Sequence, residues 1–188
     1  MNRFFPLALC LFLALAVAAC SKEVRTGNGG GLAPGQGPKP MAVSSSAQVV
    51  KVTPSPATIS PNNSVDAVVT LSISPGFHIN ANPATFSYLI ATEVSHTVDP
   101  DESLPVMGKP IYPTPVSKKF SFAEQPLAVY EGEVNVKLPL RLPDPKRTYG
   151  KIGSGPLSFP ITTRVQACDE EQCFPPATIN TTISVTVK

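Results

Sequence analysis

Proline is the residue that most narrows what this chain can fold into. It supplies 22 of the 188 residues, more than twice the usual ~5%, and 18 of these lie beyond position 47. The longest proline-free stretch of that region runs only from Ala84 to Asp99. A proline ring breaks the interior of a helix and is tolerated at strand edges, strand starts and turns, so a helix bundle is excluded. The prolines do not mark a disordered chain either, because 42% of the residues are apolar, enough to fill a core. From Gln48 onward, 11 basic residues face 12 acidic ones. A domain so close to neutrality has no electrostatic footprint for nucleic acid.

The chain opens on Met1-Asn2-Arg3, followed by an apolar run from Phe4 to Ala19 and then Cys20. A basic start, an apolar stretch and small residues before a cut describe a secretory signal peptide. The run is shorter than the ~20 residues that span a bilayer. Val17-Ala18-Ala19-Cys20 resembles the bacterial lipobox, in which the cysteine becomes the lipidated first residue of the mature protein. Ser21 follows it rather than aspartate, and that resemblance favours the outer membrane of a Gram-negative cell. Residues 21–47 hold Gly29-Gly30-Gly31, Pro34, Gly35, Pro38 and Ser44-Ser45-Ser46 with no apolar periodicity, the composition of a flexible tether. The expected organisation is a lipoprotein signal peptide (1–20), a tether (21–47) and one folded domain (48–188).

Within that domain, short apolar runs alternate with turn residues. Runs at 49–52, 65–73, 77–79, 88–98, 116–122, 127–130, 133–142 and 157–165 precede a last segment in which Ile179, Ile183, Val185 and Val187 alternate with polar residues. A period of two marks a strand with one buried face. Eight or nine short strands with frequent turns predict an all-β, antiparallel β-sandwich.

Of the four cysteines, Cys10 lies in the signal segment and Cys20 at its end, which leaves Cys168 and Cys173 for the exported domain. One strand is expected to end at Cys168 and another to begin after Pro176, with the pair near a hairpin tip, where opposed strand positions suit disulfide geometry. A bridge around so short a loop removes little denatured-state entropy, roughly 2 kcal/mol. A staple between distant strands would stabilise more, so spacing alone leaves three roles open: redox activity, a structural staple and metal binding. No HxxxH or CxxC spacing accompanies the pair, and His78 and His96 read as ordinary strand residues. No motif calls for a cofactor.

Three separated segments resemble one family, the N-terminal periplasmic domain of the thiol:disulfide interchange protein DsbD. These are Gln166-Ala167-Cys168 through Cys173-Phe174-Pro175-Pro176, Gly76-Phe77-His78-Ile79-Asn80-Ala81-Asn82-Pro83, and Val129-Tyr130-Glu131-Gly132. The resemblance implies an immunoglobulin-like sandwich in which Cys168 and Cys173 are the redox couple. It would take electrons from thioredoxin-like proteins and pass them to extracytoplasmic acceptors, in general disulfide repair or in cytochrome c biogenesis. The family's membrane electron-carrying domain and thioredoxin-like domain are not in this sequence, so a separate membrane donor is implied. The alternative is a β-sandwich binding module with a structural hairpin disulfide. The family also shields its cysteines with an aromatic cap, and Phe120 and Phe122 fall where that cap would lie. Phe174 is a further candidate to pack on the disulfide. Asp169, Glu170 and Glu171 stand between the cysteines, where negative charge disfavours thiolate. Arg164 is the candidate to offset them.

Overall fold

A computed structural model describes residues 42–96, 104–143 and 153–188 of the chain. The signal segment, Cys10, Cys20, most of the expected tether and the end of the 88–98 run lie outside these residues. A 3-10 turn at Ser46–Gln48 leads into β1 (Val50–Pro54), β2 (Ala57–Ile59), β3 (Ser64–Ile73), β4 (His78–Asn80), β5 (Glu93–Ser95) and β6 (Val106–Met107). Then follow β7 (Val116–Lys118), β8 (Leu127–Tyr130), β9 (Glu133–Arg141), β10 (Gly155–Val165), β11 (Ala167–Cys168) and β12 (Ala177–Val187). They form three four-stranded sheets, ordered β1-β3-β9-β6, β2-β12-β10-β5 and β11-β4-β8-β7.

The two larger sheets close over one core. Along β9, Val134, Val136, Leu138 and Leu140 are buried while Glu133, Asn135, Lys137 and Arg141 face out, as a half-buried strand requires. Val69 and Leu71 of β3, Phe159 and Ile161 of β10, and Ile183 and Val185 of β12 join them in a continuous apolar cluster. The longest ladder pairs β10 with β12 from Gly155↔Val187 to Val165↔Ala177. Pro156 and Pro160 are exposed on β10, and β5 pairs with that strand only at Thr162–Arg164. Among the described residues, both prolines therefore sit where no second partner strand asks for their missing N–H.

The all-β, immunoglobulin-like sandwich expected from the sequence is the fold observed. Three details differ. The short strands β2, β6 and β11 give no readable period, being two or three residues long. β2 also runs parallel to β12, with Ala57↔Val185 and Ile59↔Val187, because the break at Pro54–Pro56 carries the chain from the first sheet to the edge of the second. The expected strands at 88–98 and 116–122 are cut short to β5 and β7; residues 88–92 and 119–126 are loops. Tyr88 and Phe122 stay exposed, whereas Leu89, Phe120 and Ala123 of these loops fill a second, smaller cluster with Phe86, Leu127 and Val129. Burial in that cluster, rather than strand formation, is what their hydrophobicity serves.

Two tight turns deliver the strands of the third sheet. Gly76 has φ +84° after Pro75, and the Phe77 N–H donates to Ser74 O at 3.1 Å, turning the chain into β4. Gly132, at φ +63°, completes the two-residue link Glu131-Gly132 that moves the chain from β8 in one sheet to β9 in another. Both conformations favour a residue without Cβ.

Candidate functional site: a disulfide loop under an aromatic ring

The β10–β12 ladder closes at Val165↔Ala177, so residues 166–176 form an excursion from the sheet. Gln166 breaks the strand and is itself pinned. Its Oε1 accepts from the Ile90 N–H and from Asn80 Nδ2, each at 3.3 Å, and its Nε2 donates to Phe174 O at 3.4 Å. The chain then joins the third sheet as β11, with Ala167 opposite Ile79 and Cys168 opposite His78. Cys168 thus belongs to a different sheet from β10, which corrects the expectation that the long strand ends there.

Cys168 and Cys173 are joined by a disulfide with their Cα atoms 3.9 Å apart. Asp169 shapes the intervening turn: its N–H donates to Gln172 O at 2.9 Å, and its Oδ1 accepts from the N–H groups of Glu171 and Gln172, both at 2.8 Å. On the far side, the Phe174 N–H donates to Ala167 O at 2.8 Å. The Phe174 ring packs against Phe77, centroids 5.7 Å apart. Exposure is unequal across the bond. Cys168 is fully buried, whereas Cys173 is half-buried and faces the turn.

Ser46 locks the excursion from a distance. Its Oγ accepts from the Ala167 N–H at 2.9 Å and donates to Pro175 O at 2.8 Å, and its own N–H donates to the same carbonyl at 3.1 Å. Residues expected to belong to the tether are therefore built into the site. The readable signal was Ser45 with Gln48 three residues on, a capping box that the structure forms.

Phe120 lies over the neighbouring strand. Its ring is 2% exposed and stacks on His78 at 4.1 Å, and His78 is the register partner of Cys168. Phe122 stacks on the outer side of Phe120 at 5.3 Å and remains 42% exposed. The β7–β8 loop that carries both is held to the cysteine loop by Ser121 Oγ, which donates to Glu170 O at 3.3 Å. Lys118 Nζ adds ion pairs to Glu170 at 2.9 Å and Glu131 at 2.7 Å, and stands 5.3 Å from the Phe120 ring centroid.

The local charge balance follows from these contacts. Lys118 pairs with the acidic turn; it stands at the end of β7, some fifty residues earlier, and no local sequence pattern points to it. Arg164 is exposed on β10, opposite Thr178 and Glu93. The hydrogen bonds that Lys118 donates to Glu131 and then to Glu170 raise its pKa. The His78 pKa is lowered from 6.5, chiefly by burial and next by Lys118, against smaller opposing effects of Glu131, Glu170 and Asp169. His78 is therefore a neutral imidazole at neutral pH. Among the described residues, no group of three or more His, Cys, Asp or Glu side chains is arranged to hold a metal ion.

These features define an all-β domain with a disulfide that closes a surface loop beside a buried histidine and a covering aromatic ring. The chain belongs to the family described as the N-terminal domain of the thiol:disulfide interchange protein DsbD, whose model matches residues 46–184. No curated protein matches it. Among solved structures it is similar to the DsbD N-terminal domain of Neisseria meningitidis in the reduced form, with 18% identity over 64% of this chain and 78% of that one, TM-score 0.40. It is similar also to the N-terminal periplasmic domain of ScsB from Proteus mirabilis, with 13% identity over 73% of this chain and 45% of that one, TM-score 0.42. The chain thus spans less than half of that ScsB structure. Another likeness is the CssB subunit of Escherichia coli colonization factor CS6, with 16% identity over 76% of this chain and 99% of that one, TM-score 0.40. The family assignment rests on the family model.

Proposed function

We propose that this protein is an exported thiol:disulfide oxidoreductase that relays electrons through Cys168 and Cys173. A thioredoxin-like donor, itself supplied by a separate membrane protein, reduces the couple, and the dithiol then reduces extracytoplasmic acceptor proteins. The observation that carries this reading is the unequal exposure of the two cysteines in a chain of the DsbD N-terminal family. A structural staple needs neither sulfur accessible, whereas exchange needs one that a thiolate can attack in line with the bond. Cys173 is that sulfur, and Cys168 is the leaving group. Phe120 serves as the shield of the couple, with Phe122 on its outer face; Phe174 packs on Phe77 and steadies the loop. The Val17-Ala18-Ala19-Cys20 segment supports lipidation at Cys20, which would hold the domain to a membrane facing the periplasm. Among the described residues no helix is long and apolar enough to cross a membrane.

The test is the reduction potential of the couple, measured by equilibration in thiol buffers, trapping by alkylation and weighing. Structural disulfides typically lie below about −300 mV and exchange-active ones higher. A value near about −200 mV is expected. The Cys168→Ala variant, which leaves the accessible thiol, should then trap mixed disulfides with thioredoxin-like proteins. A bond that stays oxidised in strongly reducing buffer would refute the relay and leave a binding module with a stapled loop.

A further inference from the structure

We infer that His78 Nε2 is the hydrogen-bond partner of the Cys168 sulfur in the reduced protein, and that it holds the couple toward the dithiol. The inference deepens the relay reading and rests on it. His78 and Cys168 are directly opposed in the β4–β11 pair. Opposed residues of an antiparallel pair present their side chains to the same face, about 4.5–5.5 Å apart at Cβ. His78 is 1% exposed, and its Nε2 is buried with no hydrogen-bond partner among the described residues. The Phe120 ring stacked at 4.1 Å closes one face of the imidazole and limits its choice of orientation.

An unpaired buried nitrogen is costly and calls for an explanation. The bond between the sulfurs supplies one. A disulfide sulfur has no proton to donate and is a poor acceptor, whereas a thiol donates and a thiolate accepts strongly. Opening the bond therefore creates, on the residue paired with His78, a partner of the kind that the oxidised protein lacks. The charged groups around the ring are Lys118 of β7, Glu131 after β8, and Asp169 and Glu170 of the cysteine loop. The imidazole, kept neutral chiefly by burial, is suited to both roles, accepting from a thiol or donating to a thiolate.

In the exchange, a donor thiolate attacks Cys173 Sγ. A bond forms between the donor sulfur and Cys173, the Cys168–Cys173 bond breaks, and the electron pair departs on Cys168 Sγ. His78 Nε2–H donates to that thiolate until it takes a proton. The donor's second thiol then displaces Cys173, so the donor dithiol ends as a disulfide and this couple as a dithiol, with two electrons and two protons transferred. His78 lowers the energy of the leaving sulfur and is not consumed.

The test compares full-length wild type with His78→Phe, which keeps a flat ring against Phe120, and His78→Gln, which restores a polar donor. Each is equilibrated with thiol buffers, alkylated and weighed. His78→Phe should shift the equilibrium toward the disulfide by about tenfold, which is about 30 mV to lower potential, and His78→Gln should recover part of the shift. A His78→Phe equilibrium within about twofold of wild type, in a wild-type couple that exchanges readily, overturns the role of His78 and leaves the relay intact. A wild-type bond that never opens overturns both. Should His78→Phe fail to fold, the wild-type histidines provide the readout. The imidazole resonances of His78 should move on reduction while those of His96, stacked on Phe159 at 4.5 Å, stay in place. Unmoved His78 resonances overturn the inference.

Discussion

Removing one hydroxyl, that of Ser46, should loosen the whole cysteine loop. Ser46 is fully buried, and its Oγ is the acceptor for the Ala167 N–H at 2.9 Å. Ala167 is itself fully buried, so in Ser46→Ala that N–H loses its partner with no water to replace it. Leaving a buried donor unsatisfied costs about 1–3 kcal/mol. The bond from Oγ to Pro175 O is lost as well, although that carbonyl still accepts from the Ser46 N–H at 3.1 Å. Together these amount to about 2–3 kcal/mol. With a urea m-value of about 1–3 kcal/mol/M for a domain of this size, the midpoint should fall by about 0.7–3 M at unchanged m. The assay is equilibrium urea unfolding of the disulfide-bonded protein, followed by far-UV circular dichroism. The variant disulfide should also be reduced faster by dithiothreitol, because β11 and Pro175 are tied down through the same oxygen. A midpoint shift below about 0.3 M would refute the reasoning, showing that Ala167 finds another acceptor and that the fold does not depend on residues ahead of Gln48.

Two further outcomes separate the roles of the surrounding residues. Phe120→Ala should cost about 3–5 kcal/mol, since the ring is buried among Phe86, Leu127 and Val129, and should speed reduction of the disulfide; Phe122→Ala, at 42% exposed, should change stability by less than about 0.5 kcal/mol. Urea melts and dithiothreitol reduction rates check both, and equal effects on the two variants would contradict the burial difference. Acid should destabilise the domain through His78. Its folded pKa lies below the 6.5 of the free group, so the unfolded chain takes up the proton first; stability is full above that value and falls as pH drops through the window beneath it. Midpoints at about pH 7.5 and about pH 5 should therefore differ less in His78→Phe than in wild type. An equal difference in the two proteins would show that His78 does not set that slope.

The fold class was legible in the sequence because its carriers are local. Closely spaced prolines exclude a helix bundle, and the alternation from Ile179 to Val187 places one face of β12 in the core whatever its neighbours are. The cysteine element was legible too, since Gln166 through Pro176 is one contiguous segment. What surrounds it was not. Lys118, Phe120 and Ser46 reach the loop from sites far apart in sequence, through sheet pairing and loop packing that leave no periodic trace. The hydrophobicity of residues 88–92 and 119–122 read as strand because apolar side chains look alike whether they fill a ladder or a loop cluster. Nor does the sequence say which cysteine is the less buried: Cys168 and Cys173 are chemically the same residue, and only the step from β10 into the third sheet buries one fully and the other in part. The same step sets His78 opposite Cys168, because register between strands ninety residues apart is a property of the folded sheet and not of either segment alone.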